Sequence, residues 1–252
     1  MINPMDMRGK AIIVTGASSG IGHATAILLS KLGAKAVLIA RNEERLKQTY
    51  EQLEGSGHSI YSYDLSDING IPSLVKTIAS ECSEVSGLAY CAGIGNRCPL
   101  KLLDSDSIID MMKVNTLAFV ELCKVLSKAN YRAESASYVC VSSAAAIKGE
   151  KGLLSYSMTK GALNSAIHVM AKELGTFGIR VNAVLPSWVN TEMAEDIFEN
   201  FGKGEFDAAI DTKQYLGMGR PDDIANTIAF LLSDASRFIT GTELIADGGY
   251  TS

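Results

Sequence analysis

Residues 10–22 read KAIIVTGASSGIG, and this stretch decides the fold. Residues 10–15 form a short apolar run that predicts a buried strand, and an amphipathic helix is predicted after the glycine-rich turn. The three glycines have separate uses: Gly16 makes the tight turn, Gly20 lets the backbone approach a diphosphate, and Gly22 lets helix and strand pack closely. A diphosphate would bind at the helix N-terminus, where free N–H groups and the helix dipole favour an anion.

A second stretch, residues 149–177, reads GEKGLLSYSMTKGALNSAIHVMAKELGTF. Its apolar residues recur at helical spacing from about Ser155, which predicts a helix with Tyr156 and Lys160 on one face. A neighbouring ammonium should lower the pKa of the tyrosine toward the range of efficient acid–base catalysis. Ser143 ends an apolar run that predicts a buried strand, and its hydroxyl could hold a substrate oxygen while Tyr156 protonates it. By itself, a Tyr–Lys pair at this spacing is usually an ordinary surface pair.

Together these motifs resemble those of the short-chain dehydrogenase/reductase family. The motifs are TGxxxGIG at residues 15–22, a serine at Ser143, and YxxxK at residues 156–160. The resemblance extends from about Lys10 to the end of the chain. It implies one dinucleotide-binding and catalytic domain over residues 1–252, with an α/β Rossmann fold. The implied architecture is a single doubly wound parallel sheet of seven strands with helices on both faces.

The resemblance also implies roles for individual residues at the carboxyl edge of this sheet. The implied catalytic residues are Asn115, Ser143, Tyr156 and Lys160. The implied cofactor-binding residues are Gly16, Ser18, Ser19, Gly20, Ile21, Gly22, Arg41, Asp64, Leu65, Ala92, Gly93, Tyr156, Lys160, Pro186, Val189 and Thr191. In ketone reduction, Ser143 would hydrogen-bond the carbonyl oxygen and Tyr156 would donate the proton. Asn115 and locally disturbed helix carbonyls would hold a water that relays protons to Lys160.

The end of the second predicted strand, residues 36–40, indicates which dinucleotide is bound. An acidic residue at this place would bind the ribose hydroxyls of NAD and repel a 2′-phosphate. This chain has Ala40 followed by Arg41, whose guanidinium can pair with a phosphate and stack on adenine. The sequence therefore favours NADP(H), with NAD(H) as the second choice. The alternative is that Arg41 only ends the strand and pairs with Glu44.

Three positions are ambiguous or depart from the family pattern. Residues 90–93 read YCAG where the family usually has Asn-Asn-Ala-Gly, so the two Asn hydrogen bonds must be made differently or not at all. Pro186 is followed by Ser187 rather than the usual glycine, which requires a turn with negative φ or some strain. Asp64 resembles the residue that contacts the adenine amino group, but it is nearly as well suited to a helix N-cap or a turn.

Two further expectations concern residues outside the motifs. Residues 188–216 hold apolar side chains among acids and glycines, which is typical of a substrate lid, although a fixed pair of core helices fits equally. The predicted helix over residues 105–128 carries more apolar surface than one sheet face needs. In the family such helices pair across a two-fold axis, so the resemblance implies a homo-oligomer, either a dimer or a tetramer. The alternative is that these residues simply pack on the sheet.

Composition narrows the classes of function. The chain has 252 residues, of which 47% are hydrophobic and 20% charged, as in globular proteins with a sizeable core. No apolar run approaches the roughly 20 residues that cross a bilayer, and the N-terminal residues have no hydrophobic signal core, so we expect a cytoplasmic protein. A net charge of −5 argues against nucleic acid or an anionic membrane as partner. The five cysteines predict reduced thiols, and no metal site is expected.

Three functions are compatible with the sequence. The first is NADP(H)-dependent reduction of a 3-oxoacyl thioester. The mixed charges of residues 131–134 and the position of Phe177, where many such reductases have a basic residue, weaken docking of an acidic carrier protein. The second is reduction or oxidation of a sugar, a polyol or another small ketone. The third is a non-catalytic dinucleotide-binding regulator. The altered motifs allow it, and the intact Asn115, Ser143, Tyr156 and Lys160 oppose it.

Overall fold

The computed structural model describes residues 3–82, 84–195 and 213–252, which contain a seven-stranded parallel sheet. The strands are Ala11–Thr15 (β1), Lys35–Ala40 (β2), Ser59–Ser62 (β3), Val85–Tyr90 (β4), Arg132–Val141 (β5), Ile179–Pro186 (β6) and Glu243–Ala246 (β7). Their order across the sheet is β3-β2-β1-β4-β5-β6-β7, and every pair is parallel. The predicted doubly wound Rossmann fold is confirmed.

Helices cover both faces of this sheet. They are Gly20–Lys31 (α1), Glu43–Tyr50 (α2), Ile71–Cys82 (α3), Ser105–Met112 (α4), Ala118–Leu126 (α5), Leu154–Gly175 (α6) and Pro221–Leu232 (α7). Helices α1 and α7 pack together on one face, whereas α3, α5 and α6 cover the other. Successive side chains of a strand point to opposite faces of the sheet. Ile12 and Val14 of β1 therefore pack in the core under α1 and α7, and Ile13 packs in the core under α3, α5 and α6.

Two strands differ in length from the sequence prediction. Strand β5 begins at Arg132, well before the predicted apolar run, because its backbone pairs with β4 and β6 even where its side chains are polar. Strand β7 covers only Glu243–Ala246, although the sequence of residues 239–249 favours a longer strand. Gly241, Gly248 and Gly249 have φ values of +71°, +61° and +89°, which turn the chain at both ends of β7.

The helix predicted over residues 105–128 is interrupted in the middle. Helices α4 and α5 are separated by a π-helical turn at Lys113–Leu117, in which the hydrogen bonds span one extra residue. The hydroxyl of Tyr90 donates to the Val114 carbonyl inside this turn. The local disturbance that the resemblance implied is therefore present. Tyr90, at one of the two positions where the family usually has asparagine, supplies a hydrogen-bond donor to this turn.

The apolar side chains of α5 mostly pack inside the chain. Phe119, Leu122, Val125 and Leu126 are at most 2% exposed, so they belong to the core and are not surplus surface. These four side chains therefore pack on the sheet, and the homo-oligomer stays a prediction. Leu117 differs from them because 46% of it is exposed.

The predicted lid over residues 188–216 is described only at its two ends, because residues 196–212 lie outside the described residues. At the second end, Gln214 is buried, and its amide accepts from Trp188 N at 3.2 Å and donates to Trp188 O at 3.0 Å. Ser187 Oγ lies 2.6 Å from Gln214 Oε1, so the serine that replaces the family glycine ties this end to β6. The lid itself stays a prediction.

Three observations bear on the expectations from composition. The helices in the described part of the chain are all too short or too polar to span a bilayer. All five cysteine thiols are free. Among residues 3–82, 84–195 and 213–252, no three histidine, cysteine or acidic side chains are grouped as metal ligands would be.

Gly22 provides a test of the close contact between α1 and β1. A Cβ at Gly22 would lie 2.2 Å from the carbonyl oxygen of Gly16. We expect Gly22→Ala to lower the free energy of unfolding by about 1–3 kcal/mol through overpacking, measured by urea denaturation. The matched control is Gly161→Ala on α6, where the added Cβ meets nothing within 4 Å. This control should raise stability by about 0.5–1 kcal/mol, and equal effects of the two substitutions would contradict the close contact.

Candidate active site

The glycine-rich turn lies at the carboxyl edge of the sheet, between β1 and α1. Gly16 and Gly20 have φ values of +64° and +52°, a backbone region that favours glycine. A Cβ on Gly16 would lie 2.9 Å from Ala92 N, and a Cβ on Gly20 would lie 3.2 Å from Thr191 Cγ2. Ala92 N also donates to Thr15 Oγ1 at 3.1 Å. Two predicted cofactor contacts, Ala92 and Thr191, are therefore brought next to the turn.

The N-terminus of α1 is suited to an anion. Ser19 precedes the helix, its side chain makes no capping hydrogen bond within the described residues, and the first turn has no acidic residue. By contrast, Asn42 and Asp104 cap the first turns of α2 and α4. Ser18 and Ile21 are partly exposed at the same turn. Uncapped N–H groups and the helix dipole make such a terminus a favourable place for a phosphate.

The two arginines near the end of β2 have different surroundings. Arg41 directly follows β2 and is exposed. In the described part of the chain its guanidinium makes no ion pair, so the alternative pairing with Glu44 is not present. Arg45 on α2 is instead paired with Glu192, with 2.6 Å between Nη1 and Oε2. Arg41 is therefore the cation at this edge that is available to a ligand.

Asp64 and Leu65 follow the end of β3. The exposed Asp64 carboxylate accepts a hydrogen bond from Ser66 N at 2.9 Å, so the residue does form a turn. This backbone hydrogen bond lowers the pKa of Asp64, and the nearby Arg41 charge acts in the same direction. Leu65 is buried. Of the roles that the sequence left open for Asp64, the structure shows the turn. The Asp64 carboxylate remains at the surface, near Arg41.

The predicted Ser, Tyr and Lys come together where the carboxyl end of β5 meets α6. Lys160 Nζ donates to Val141 O at 2.7 Å. Ser143, two residues later, lines the same pocket as Tyr156, and its hydroxyl acts to lower the pKa of the phenol. Lys160 Nζ lies 5.5 Å from the centroid of the Tyr156 ring. The three side chains that the sequence singled out are therefore neighbours at the edge where β5 ends.

Burial changes the acid–base properties of this group. Lys160 is 3% exposed, and burial lowers its pKa to about 8. Burial raises the pKa of Tyr156, and the nearby Ser143 hydroxyl opposes that rise only in part. The direction expected from the sequence, a Tyr156 pKa lowered by Lys160, is therefore wrong for this structure. The cost of removing a phenolate from water is the larger effect.

Asn115 is fully buried in the π-helical turn and joins the loop after β4 to α6. Its Oδ1 accepts from Ile94 N at 2.8 Å, and its Nδ2 donates to Ile94 O at 2.9 Å and to Thr159 Oγ1 at 3.0 Å. Both amide hydrogens are used, so the side chain is a clamp between two segments. A Cβ on Gly93 would lie 3.4 Å from Lys160 Nζ, which shows how closely this loop backbone approaches the lysine.

Cys91 occupies the second position where the family usually has asparagine. Its Sγ lies 4.0 Å from Thr25 Oγ1, on the α1 side of the sheet. Burial raises the pKa of this thiol to about 12. Because the thiolate is the reactive form of cysteine, Cys91 is an inert side chain in this setting.

A pocket lies over Ser143 and Tyr156, and most of its wall is apolar. The apolar wall residues are Ile21, Val141, Ala144, Ala145, Leu153, Pro186, Trp188, Val189, Met193, Ala194 and Tyr250, and the polar ones include Asn96, Glu150, Ser187 and Thr191. The predicted cofactor contacts Pro186, Val189 and Thr191 are thus in the same wall as the predicted catalytic residues. Such walls suit a substrate that carries hydrocarbon next to its reacting group.

Glu150 and Tyr250 are two examples of pocket residues that were not predicted from the sequence. Glu150 is paired with Arg97 at 3.0 Å, and nothing in its sequence context pointed to the site. Tyr250 is turned back toward the pocket after Gly248 and Gly249, and its carbonyl oxygen accepts from Lys148 Nζ. The Gly-Gly pair was the available signal for Tyr250, because positive φ values reverse the chain.

The fold and this group of side chains define the class of protein as a Rossmann-fold oxidoreductase. A family model described as enoyl-(acyl carrier protein) reductase matches residues 16–251. The chain belongs to the short-chain dehydrogenase/reductase family.

Individual relatives support the same class over nearly the whole chain. The 3-oxoacyl-[acyl-carrier-protein] reductase FabG of Rickettsia prowazekii is 33% identical over 250 residues, which is 97% of this chain and 98% of the relative. Carbonyl reductase family member 4 of Danio rerio is 32% identical over 240 residues, or 95% and 97% of the two chains. A solved structure described as a short-chain alcohol dehydrogenase from Sinorhizobium meliloti has a TM-score of 0.92 at 26% identity, covering 99% of each chain.

The lowered pKa of Lys160 predicts a pH-dependent contribution to stability. The folded value of about 8 lies below the ordinary 10.5, so between these values the unfolded chain binds more protons and stability rises with pH. Relative to Lys160→Met, which cannot titrate, the wild type should gain on the order of 3 kcal/mol across that range. Urea denaturation at several pH values measures the difference. Lys172→Met on the exposed side of α6 controls for loss of a charge, and a pH-independent difference for Lys160→Met would contradict the burial.

Proposed function

We propose that this protein reduces a ketone to an alcohol with NADP(H), or catalyses the reverse reaction, and that 3-oxoacyl thioesters are its first candidate substrates. The observation that carries the proposal is that Ser143 and Tyr156 line one pocket at the carboxyl edge of the sheet, with the buried Lys160 ammonium 5.5 Å from the centroid of the Tyr156 ring. The uncapped N-terminus of α1 and the glycine-rich turn lie along the same edge.

A dinucleotide fits the groups along this edge. The α1 terminus, with Gly16, Ser18, Ser19, Gly20, Ile21 and Gly22, would hold the diphosphate, and Arg41 would hold the 2′-phosphate. Asp64 and Leu65 would lie at the adenine, and Ala92 and Gly93 leave room for its neighbouring ribose. Tyr156, Lys160, Pro186, Val189 and Thr191 would contact the nicotinamide end. When bound, the cofactor supplies the hydride in reduction and accepts it in oxidation.

The chain's own residues handle the substrate oxygen and the proton. Ser143 Oγ accepts from Ala145 N at 3.1 Å, which leaves its hydroxyl hydrogen free to donate to a carbonyl oxygen. Tyr156 donates its phenolic proton to the same oxygen as the alkoxide forms. The raised pKa of Tyr156 keeps the phenol protonated at neutral pH, which favours the reductive direction. Lys160 is cationic at neutral pH and stabilises the phenolate left behind.

Asn115 contributes to this site through the loop and helix that it joins. Its clamp on Ile94 and Thr159 fixes the loop after β4 against the turn of α6 that carries Tyr156 and Lys160. To restore the phenol, Lys160 passes a proton to the Tyr156 phenolate and takes one from a water, and we assign the binding of that water to Asn115 and the neighbouring π-turn carbonyls.

The apolar pocket walls support a 3-oxoacyl substrate, and so do the relatives whose names include a 3-oxoacyl reductase. A second candidate substrate is a small free ketone. It is favoured because the surface expected to dock an acidic carrier protein lacks free cations at the two residues considered. The Arg132 guanidinium donates to the carbonyl oxygens of Ser127, Ala133 and Glu134, and so is engaged within its own chain. Phe177 is 56% exposed and apolar. Neither residue offers a free cation to an acidic carrier.

We also propose a homo-oligomer that forms through exposed apolar side chains of α4, the π-helical turn and α6. Those that are at least 42% exposed include Ile109, Leu117, Leu154, Met158 and Val169. Scattered apolar residues are normal on a protein surface, but a group of this size on adjoining helices favours an interface.

The free state of all five thiols suits a reducing compartment, which we take to be the cytoplasm.

Loss of the Tyr156 hydroxyl tests the reaction directly. Purified protein is assayed for NADPH consumption on acetoacetyl thioesters, sugar ketones and simple diketones. Tyr156→Phe should lower kcat by about 10²–10⁴-fold because the proton donor is lost. Tyr50→Phe, which removes an exposed hydroxyl from α2, is the matched control and should leave kcat unchanged. Undiminished turnover in Tyr156→Phe would reject the mechanism, and NADPH binding without turnover on any of these carbonyls would reject the substrate classes.

Removal of the Arg41 charge tests the cofactor preference. Arg41→Ala should raise the KM for NADPH by about 10- to 100-fold, because a charge-assisted hydrogen bond to the 2′-phosphate is worth roughly 1.5–3 kcal/mol. The KM for NADH should stay as it is. Lys47→Ala removes another exposed cation, one already paired with Glu43, and should change neither constant. A wild-type protein that turns over only NADH would show the assignment of Arg41 to be wrong.

A further inference from the structure

A chain of polar side chains runs from the edge strand β7 to the end of β5. Glu243, the first residue of β7, accepts from Asn164 Nδ2 at 2.7 Å and contacts His168 Nε2 at 2.9 Å. Asn164 Oδ1 accepts from Ser142 Oγ at 2.6 Å. Ser142 Oγ is also 3.2 Å from the carbonyl oxygen of Lys160. The two central members, Ser142 and Asn164, are 1% and 6% exposed.

The donors and acceptors along this network are complementary. The Glu243 carboxylate only accepts, so the Asn164 amide presents Nδ2 to it and Oδ1 to Ser142, whose hydroxyl donates. His168 carries the hydrogen on Nε2 for the same reason. Each polar group therefore has one orientation. A buried network that is fully paired in this way holds its members firmly, whereas one exchanged acceptor leaves donors facing each other.

The network meets the catalytic edge at the residue between Val141 and Ser143. The backbone N–H of Ser142 donates to Val184 O on β6 at 2.8 Å, while its side chain contacts α6. Ser142 is thus fixed to the sheet through its backbone and to the helix through its side chain. Asn164 is one helical turn beyond Lys160 and on the same face of α6. A shift of Asn164 would therefore move this turn of α6 relative to Ser143.

We propose that Glu243 is a positioning residue for the reaction, acting through Asn164 and Ser142. It holds α6, which carries Tyr156 and Lys160, in register with the end of β5, which carries Ser143. The inference rests on the proposed function, since it takes these three side chains as the reacting group. Catalysis depends on such placement, because a displacement of about 1 Å in a positioned group can cost about 10²-fold in rate.

The first test is Glu243→Gln, which keeps the size of the side chain but cannot accept from both Asn164 and His168. We expect kcat for ketone reduction to fall about tenfold or more, while the KM values for NADPH and ketone change less than about twofold. Glu173→Gln, the same substitution on the exposed side of α6, is the matched control and should leave kcat unchanged. An unchanged kcat in Glu243→Gln, or a rise in KM alone, would overturn the proposal.

A double-mutant cycle tests whether the effect passes along the network. Ser142→Ala removes only the hydroxyl that donates to Asn164, and it should also lower kcat. If Glu243 acts through Ser142, the double variant Ser142→Ala with Glu243→Gln should lose no more activity than the worse single variant. Losses that add would show independent effects and would overturn the proposed route.

Amide hydrogen exchange separates this inference from the proposed function, because it needs no turnover. Glu243→Gln should exchange faster than the wild type and Glu173→Gln in the peptide over residues 141–147, since the end of β5 loses its tie to α6. Unchanged exchange in this peptide would overturn the inference. Faster exchange in a protein whose wild type reduces none of the tested carbonyls would support the positioning network and reject the proposed reductase function.

Discussion

The buried ammonium group of Lys160 is the constraint on which the rest of the site depends. A cation removed from water needs a close acceptor, and the Val141 carbonyl at the end of β5 is that acceptor. This contact fixes the distance between β5 and α6, and it thereby brings Ser143 to Tyr156. The loop after β4 approaches the same ammonium group, since a Cβ added to Gly93 would lie 3.4 Å from Lys160 Nζ.

The electrostatic result of this burial is a pair of groups suited to donating one proton. Burial raises the pKa of Tyr156 and lowers that of Lys160 to about 8. At neutral pH the phenol is therefore protonated, and the neighbouring ammonium is charged and ready to stabilise a phenolate. A tyrosine with a lowered pKa, as the isolated Tyr–Lys pattern suggests, would serve oxidation better. Burial at this edge of the sheet is thus the cause of both pKa shifts.

Local patterns in the sequence were enough to predict the fold and the grouping of Tyr156 and Lys160, because the glycine turn and the Tyr–Lys spacing each lie within a few residues. What could not be predicted depends on contacts between distant segments. Examples are the Tyr90 hydroxyl on the π turn, Gln214 on the end of β6, and the Glu243–Asn164 pair. The direction of the Tyr156 pKa belongs with these, because it is set by a balance between burial and charge that spacing alone does not contain.

A crystal structure with NADP⁺ bound tests the central claim most directly, because one experiment locates both ends of the cofactor. The account predicts the 2′-phosphate against Arg41, the diphosphate on the N-terminus of α1, and the nicotinamide ring in the pocket beside Ser143 and Tyr156. A 2′-phosphate that makes no contact with Arg41 would contradict the cofactor assignment. A nicotinamide ring outside the pocket, away from Tyr156, would contradict the catalytic role given to this group of side chains.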